Sequence, residues 1–292
     1  MRQQLISKRL SLFLRGVAIL MVIFSHYFEA GFYSVSNPRL AEFIMKLGDP
    51  GCWIFFFLSG YALHLKYKDR TTDREFIYKR VLNAYIPYIL IAGFIAIYAK
   101  ELNNPIDFVR LFTGVNYWFM LEIFLLYIVF YLVSKLPVLR IPIVCAFILV
   151  MSFWLYLHGY AEFWYTATWG FGVGMIVANV AGVKANKSDT GVTKQRSIFS
   201  KTWYVFYNAV GFLGSISLYI YMLHMFIYYR IVNNPFFMKL NWGAQVLVSL
   251  LITIIISFGL SRLIELFGAK CMAINIKNER FLTNRKGCKK RS

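Results

Sequence analysis

Residues Leu12–Phe32 read LFLRGVAILMVIFSHYFEAGF, an apolar run interrupted by Arg15, His26 and Glu29. It is long enough to cross a hydrocarbon core of roughly 30 Å. Arg15 and His26 are eleven positions apart, three helical turns, so both project from one helix face about 16 Å apart along the axis. Ionisable groups at membrane depth are costly, turn inward to protein or water, and mark functional sites. His26 can act as a base near neutral pH, and Glu29 three positions on can orient its imidazole or lie at the outer membrane surface. Arg15 can hold an anion, or snorkel to the headgroups and anchor the helix.

Working outward, 59% of the 292 residues are hydrophobic and only 15% are charged, which excludes an ordinary soluble domain. The predicted fold class is all-α, a polytopic transmembrane helix bundle. About eight spans are expected, near 10–31, 50–66, 81–99, 117–134, 141–158, 162–181, 204–229 and 243–266. Nine or ten spans are the alternative, and 202–232 could hide a short extra helix. The expected domains are a transmembrane domain over 1–268 and a basic cytoplasmic tail over 269–292. The segment from Lys184 to Lys201 reads as a polar cytoplasmic linker. The first run is too long for a signal-peptide core and lacks a small-residue cleavage site, so it is expected to stay in the mature protein.

The formal charge is +19, but its distribution argues for topology rather than nucleic acid. Alternating connections place 26 of the 32 Lys and Arg residues on one side of the membrane. That side is expected to be cytoplasmic, with both termini on it and anionic lipid as its partner. Cys52, Cys145, Cys271 and Cys288 have no metal-site spacing, so neither a disulfide nor a metal site is expected. No internal repeat of the kind found in inverted-repeat transporters is evident.

Several further residues carry polar chemistry through apolar sequence. In FFFLSGY, the Ser59–Gly60 pair permits close helix approach, while His64 reads as interfacial. Lys79 and Arg80 form a basic cluster before Pro87, suited to phosphate and equally to topology. Trp118 and Glu122, four apart, share a helical face, and Glu122 should be neutral or hydrogen-bonded. In GSISLYIYMLH, Gly214, Ser215 and Ser217 offer a close interface, and Tyr219 and His224 offer polar tips. His158 reads as a surface residue.

Together these segments resemble the integral membrane acyltransferase type 3 family. Arg15 and His26 match its Arg-x10-His signature, and Phe55–Tyr61 is similar to its second-span signature. Phe76, Arg80 and Pro87 resemble the basic segment that follows. Trp118 with Tyr127 is similar to its fourth-span pattern, and Ser215–His224 resembles its late Ser-Leu-Tyr-Leu-x-His signature. Where the family commonly carries a second Arg three positions after the one matched by Arg80, this chain has Asn83.

The resemblance implies transfer of an acyl group, most often acetyl, from a cytoplasmic acyl-CoA donor to a hydroxyl of a carbohydrate or lipid-linked glycan. It implies no permanently bound cofactor, and a multi-pass location in the cell inner membrane. Arg15, Lys79 and Arg80 would hold the donor phosphates. His26, supported by Glu29, would be the general base or the site of an acyl-histidine intermediate. Trp118, Glu122, Tyr219 and His224 would line the acceptor site. Two other readings remain open at this stage: a carrier of polysaccharide or lipid-linked sugar, and a noncatalytic assembly subunit.

Overall fold

A computed structural model describes residues 5–68, 71–184 and 198–288, so the Lys184–Lys201 linker lies largely outside the described residues. Among the described residues the chain is helical throughout, with no strand. Helix α1 (Lys8–Ala30) starts where the Ser7 hydroxyl accepts from the Leu10 amide at 3.1 Å. A short α2 (Pro38–Met45) follows, then α3 (Gly48–Tyr67). Helix α4 (Arg74–Arg80) runs through a π turn at Val81–Tyr85 into α5 (Ile86–Tyr98). Pro87 explains the π turn. Its ring crowds the carbonyl one turn back and it donates no amide hydrogen, so the preceding turn widens and the helix continues.

Helix α6 (Pro105–Thr113) is fixed by a reciprocal Asn104–Asp107 capping box and ends at Gly114, whose φ of 85° suits glycine. The chain continues with α7 (Trp118–Leu132), α8 (Arg140–Leu157), the single turn α9 (Glu162–Thr166) and α10 (Trp169–Lys184). Helices α11 (Ile198–Ser215) and α12 (Ser217–Val232) meet at a 78° bend. There the Ser215 hydroxyl bonds the Phe212 carbonyl at 2.7 Å, and the Ser217 hydroxyl bonds that of Gly214 at 3.0 Å. Hydroxyls that capture backbone carbonyls in this way bend a helix. The last helix, α13 (Trp242–Cys288), continues across residue 268, the boundary that sequence suggests between membrane domain and tail.

Among the described residues, five helices are long and apolar enough to cross a membrane: Lys8–Ala30, Glu75–Tyr98, Trp118–Lys135, Arg140–Leu157 and Trp242–Leu266. The bent pair α11–α12 counts as a sixth if taken as one span. Two of the eight stretches expected from sequence fall short of this description. Helix α10 has 16 residues, about 24 Å at 1.5 Å per residue. Helix α3 has the length, but carries Asp49, His64 and Lys66 at its ends. It packs against α1 and α10. Outward apolar side chains such as Leu90, Phe94, Val150, Phe153, Leu251 and Ile255 are exposed, as a lipid-facing surface requires.

Glycines set the closest helix contacts. A Cβ on Gly16 of α1 would collide with the Val210 carbonyl of α11, and one on Gly60 of α3 with the Phe171 carbonyl of α10. Such small residues let backbones meet where lipid offers no hydrophobic drive for association. Arg140, counted from sequence among the topology charges, is instead 1% exposed. Its guanidinium donates to the carbonyls of Tyr67 at 2.5 Å and Ser134 at 2.7 Å, joining the end of α3 to the start of α8. His64, expected at the interface, is also buried.

Candidate functional site

The bundle encloses two cavities that meet at Tyr221. The smaller, about 320 Å³, is lined by Arg15, Ser59, Arg80, Asn83, Tyr127 and Tyr221 among others. Arg15 enters from α1, three turns before His26. Arg80 is the last residue of α4, and its guanidinium lies over the rings of Tyr127 at 4.8 Å and Phe76 at 5.5 Å. Its Nε is buried with no hydrogen-bond partner. Among the described residues no acidic side chain lines this cavity, so Arg15 and Arg80 border it without a carboxylate. Planar forks of this kind suit phosphate or carboxylate.

The larger cavity, about 820 Å³, contains His26, Trp118 and His224. His26 is 38% exposed, and its Nδ1 lies 3.5 Å from Glu29 Oε2. This leaves Nε2 as the nitrogen available to a substrate proton. The His224 ring, from α12, stands 5.3 Å from that of His26 between centroids. His224 Nδ1 lies 2.8 Å from the Tyr221 carbonyl and 3.2 Å from that of Ile220. Carbonyls only accept, so the neutral ring carries its proton on Nδ1. Its buried Nε2 has no protein partner and is left as a hydrogen-bond acceptor.

Tyr117, just before α7, lines the same cavity. Burial, with a smaller contribution from the Glu101 carboxylate, pushes its phenol up to about 12, so it remains an O–H donor at neutral pH. The entrance to α7 divides neighbours between the two chambers: Trp118 faces the larger and Phe119 the smaller. Phe119 packs on Tyr221, the residue common to both cavities, at 5.3 Å between ring centroids.

The structure thus brings Arg15 and Arg80 to one cavity, and His26, Trp118 and His224 to the other, with Glu29 beside His26. Three expected residues are elsewhere. The Lys79 ammonium is paired with Glu75 one turn back, outside the cavity of Arg15 and Arg80. Glu122 is 2% exposed, lines neither cavity, and its carboxyl oxygens have no hydrogen-bond partner. Tyr219 also lines neither. Tyr221, the residue that touches both chambers, was missed. The available signal was spacing, because Tyr221 is three positions before His224 and shares its face, whereas Tyr219 is five before it.

A family model described as an acyltransferase domain matches residues 13–189, more than half of the chain. The matched segment holds Arg15, His26, Arg80 and Trp118, while Tyr221 and His224 lie beyond it. No curated protein and no solved structure matches the chain.

Proposed function

The chain belongs to the acyltransferase type 3 family, and on that premise we propose that it moves an acyl group, acetyl first among candidates, from acyl-CoA to a carbohydrate hydroxyl. The observation that carries this reading is the division into two chambers. Two guanidinium groups line one without a carboxylate, and two imidazoles line the other. An anionic donor and a neutral hydroxylated acceptor need those different surroundings.

In this reading Arg15 and Arg80 hold the donor phosphates and the thioester reaches toward Tyr221. His26 Nε2 removes the proton of the acceptor hydroxyl as its oxygen attacks the thioester carbonyl. The tetrahedral intermediate collapses, the C–S bond breaks, and the imidazolium returns its proton to the departing thiolate. Glu29 holds Nδ1 and offsets the transient positive charge. His224 Nε2 accepts a hydrogen bond from a further acceptor hydroxyl, and Trp118 offers an apolar face to a sugar ring. Lys and Arg residues concentrated on the Arg15 side support placing the donor chamber toward the cytoplasm of the cell inner membrane.

The test compares acyl esters on surface glycans from cells expressing wild type or His26→Ala at equal membrane levels, read by mass spectrometry. Loss of one acyl mass increment supports the proposal and names both acyl group and acceptor. Retention of that ester at wild-type level in the variant sinks it.

A further inference from the structure

The chamber of His26 does not end at its own wall. A third cavity, about 860 Å³, adjoins it between the end of α5, α6 and the start of α7. The two share Ile95, Glu101, Asn116 and Tyr117 as common lining. Each lies in the upper part of the roughly 300–1,000 Å³ range of small-ligand pockets. Together they offer more room than one sugar and a catalytic imidazole require.

The added cavity is polar. Lys100, Asn103, Asn104, Asp107 and Arg110 line it beside the shared Glu101 and Asn116. Asn104 and Asp107 are engaged in capping α6. The side chains of Glu101, Asn116 and Arg110 make no intramolecular hydrogen bond among the described residues and remain available to a ligand. Helix α6 explains how this surface is kept at the membrane edge. Ile106, Val109 and Phe112, three apart on one face, are exposed, while Asp107 and Arg110 border the cavity. An amphipathic helix so divided lies along the interface with its polar face to the cleft. Lys100 adds a left-handed backbone, with φ of 56°, at the turn that delivers α5 to this rim.

Aromatic faces accompany the polar groups where the cavities join. Tyr98 and Tyr229 line the His26 chamber and are about half exposed. The Arg230 guanidinium lies 4.3 Å from the Tyr98 ring centre and 5.2 Å from that of Phe226. Amides, carboxylates and cations alternating with open aromatic rings suit the hydroxyls and C–H faces of sugars. Tyr88, Ala92, Ile95, Leu102 and Leu111 complete its wall, so apolar surface for the C–H faces of a sugar lies beside the polar groups.

We infer that the α5–α6–α7 cavity is a second sugar-binding subsite, continuous with the chamber of His26, and that the acceptor is an oligosaccharide chain rather than a single glycoside. The inference rests on the acyl-transfer reading above. One sugar presents its hydroxyl to His26, and its neighbour in the same chain sits against Glu101, Arg110 and Asn116.

The test uses the full-length protein in nanodiscs with labelled acetyl-CoA and size-fractionated fragments, from mono- to hexasaccharide, of the host cell's surface polysaccharide. The subsite predicts a KM at least tenfold lower for tetrasaccharide than for monosaccharide. In an Arg110→Ala/Asn116→Ala variant, shown monodisperse with wild-type thermal stability, the tetrasaccharide KM should rise to the wild-type monosaccharide value. Transfer with a KM independent of length overturns the subsite and leaves acyl transfer to sugars standing. So does a length advantage unchanged in the double variant. Absence of transfer to every fragment defeats the carbohydrate reading and the subsite with it.

Discussion

The imidazoles of His26 and His224, carried by α1 and α12, stand 5.3 Å apart between ring centroids in one chamber. Their nitrogens are differently committed. His26 Nδ1 faces Glu29 at 3.5 Å, and His224 Nδ1 donates to backbone carbonyls. In the proposed function His26 transfers the proton and His224 positions the acceptor. His224→Gln, which keeps a polar tip, should raise acceptor KM several-fold with less effect on kcat. Glu29 is 65% exposed, where an ion pair contributes little, so Glu29→Gln should lower kcat by no more than about tenfold. Steady-state kinetics with varied acceptor separates these effects; a kcat loss in His224→Gln as large as that of His26→Ala would give His224 the proton.

Arg80 faces the smaller cavity, and Lys79 is paired with Glu75 outside it. Arg80→Lys should therefore raise the KM for acetyl-CoA about tenfold or more, because an ammonium does not reproduce a planar fork. Lys79→Ala should stay within about twofold of wild type on the same measure. Asn83, which lines this cavity, supplies a gain-of-function check: Asn83→Arg adds a third cation and should lower that KM.

Tyr221 lines both chambers and Phe119 packs on its ring. Removing the ring should admit water to the thioester. Tyr221→Ala is expected to release CoA without acceptor at least tenfold faster than wild type, while Tyr221→Phe keeps the ring and the wild-type background. A thiol-reactive dye follows the release. Equal background in all three proteins would show that the ring is not the barrier.

Glu122 is buried with both carboxyl oxygens lacking a hydrogen-bond partner, and it borders neither chamber. Glu122→Leu removes an unsatisfied polar group at similar volume and should stabilise the protein by about 1–3 kcal/mol. Transfer activity should remain within about threefold of wild type. Thermal unfolding in detergent, paired with an activity assay, checks both. A lower melting temperature or lost transfer would show that the carboxyl has a partner in the working enzyme.

Much of the site was legible because helical periodicity acts within one element. Arg15 and His26 lie on one face of α1 at a spacing the sequence shows directly, and residues at that spacing open onto opposite chambers. What remained hidden depends on how helices pack. Spacing puts Trp118 and Glu122 on much the same face, yet Trp118 lines the larger chamber while Glu122, one turn deeper, is buried and lines neither. Arg140 looks like any membrane-edge cation until α3 and α8 meet around it. Continuous apolar sequence from 202 to 232 conceals the 78° bend, although Ser215 and Ser217, read only as small interface residues, are the groups that make it. Tyr221 was obscured by Tyr219, two positions earlier in the same motif but outside both chambers.

The most direct test of the two-chamber account measures acetyl-CoA binding and acyl transfer separately on purified Arg15→Ala and His26→Ala proteins. The account predicts that His26→Ala binds acetyl-CoA with the wild-type Kd and transfers at least about 100-fold more slowly. It predicts that Arg15→Ala loses at least about tenfold in donor affinity. Weakened donor binding in His26→Ala with unchanged binding in Arg15→Ala would contradict the division of labour between the two chambers.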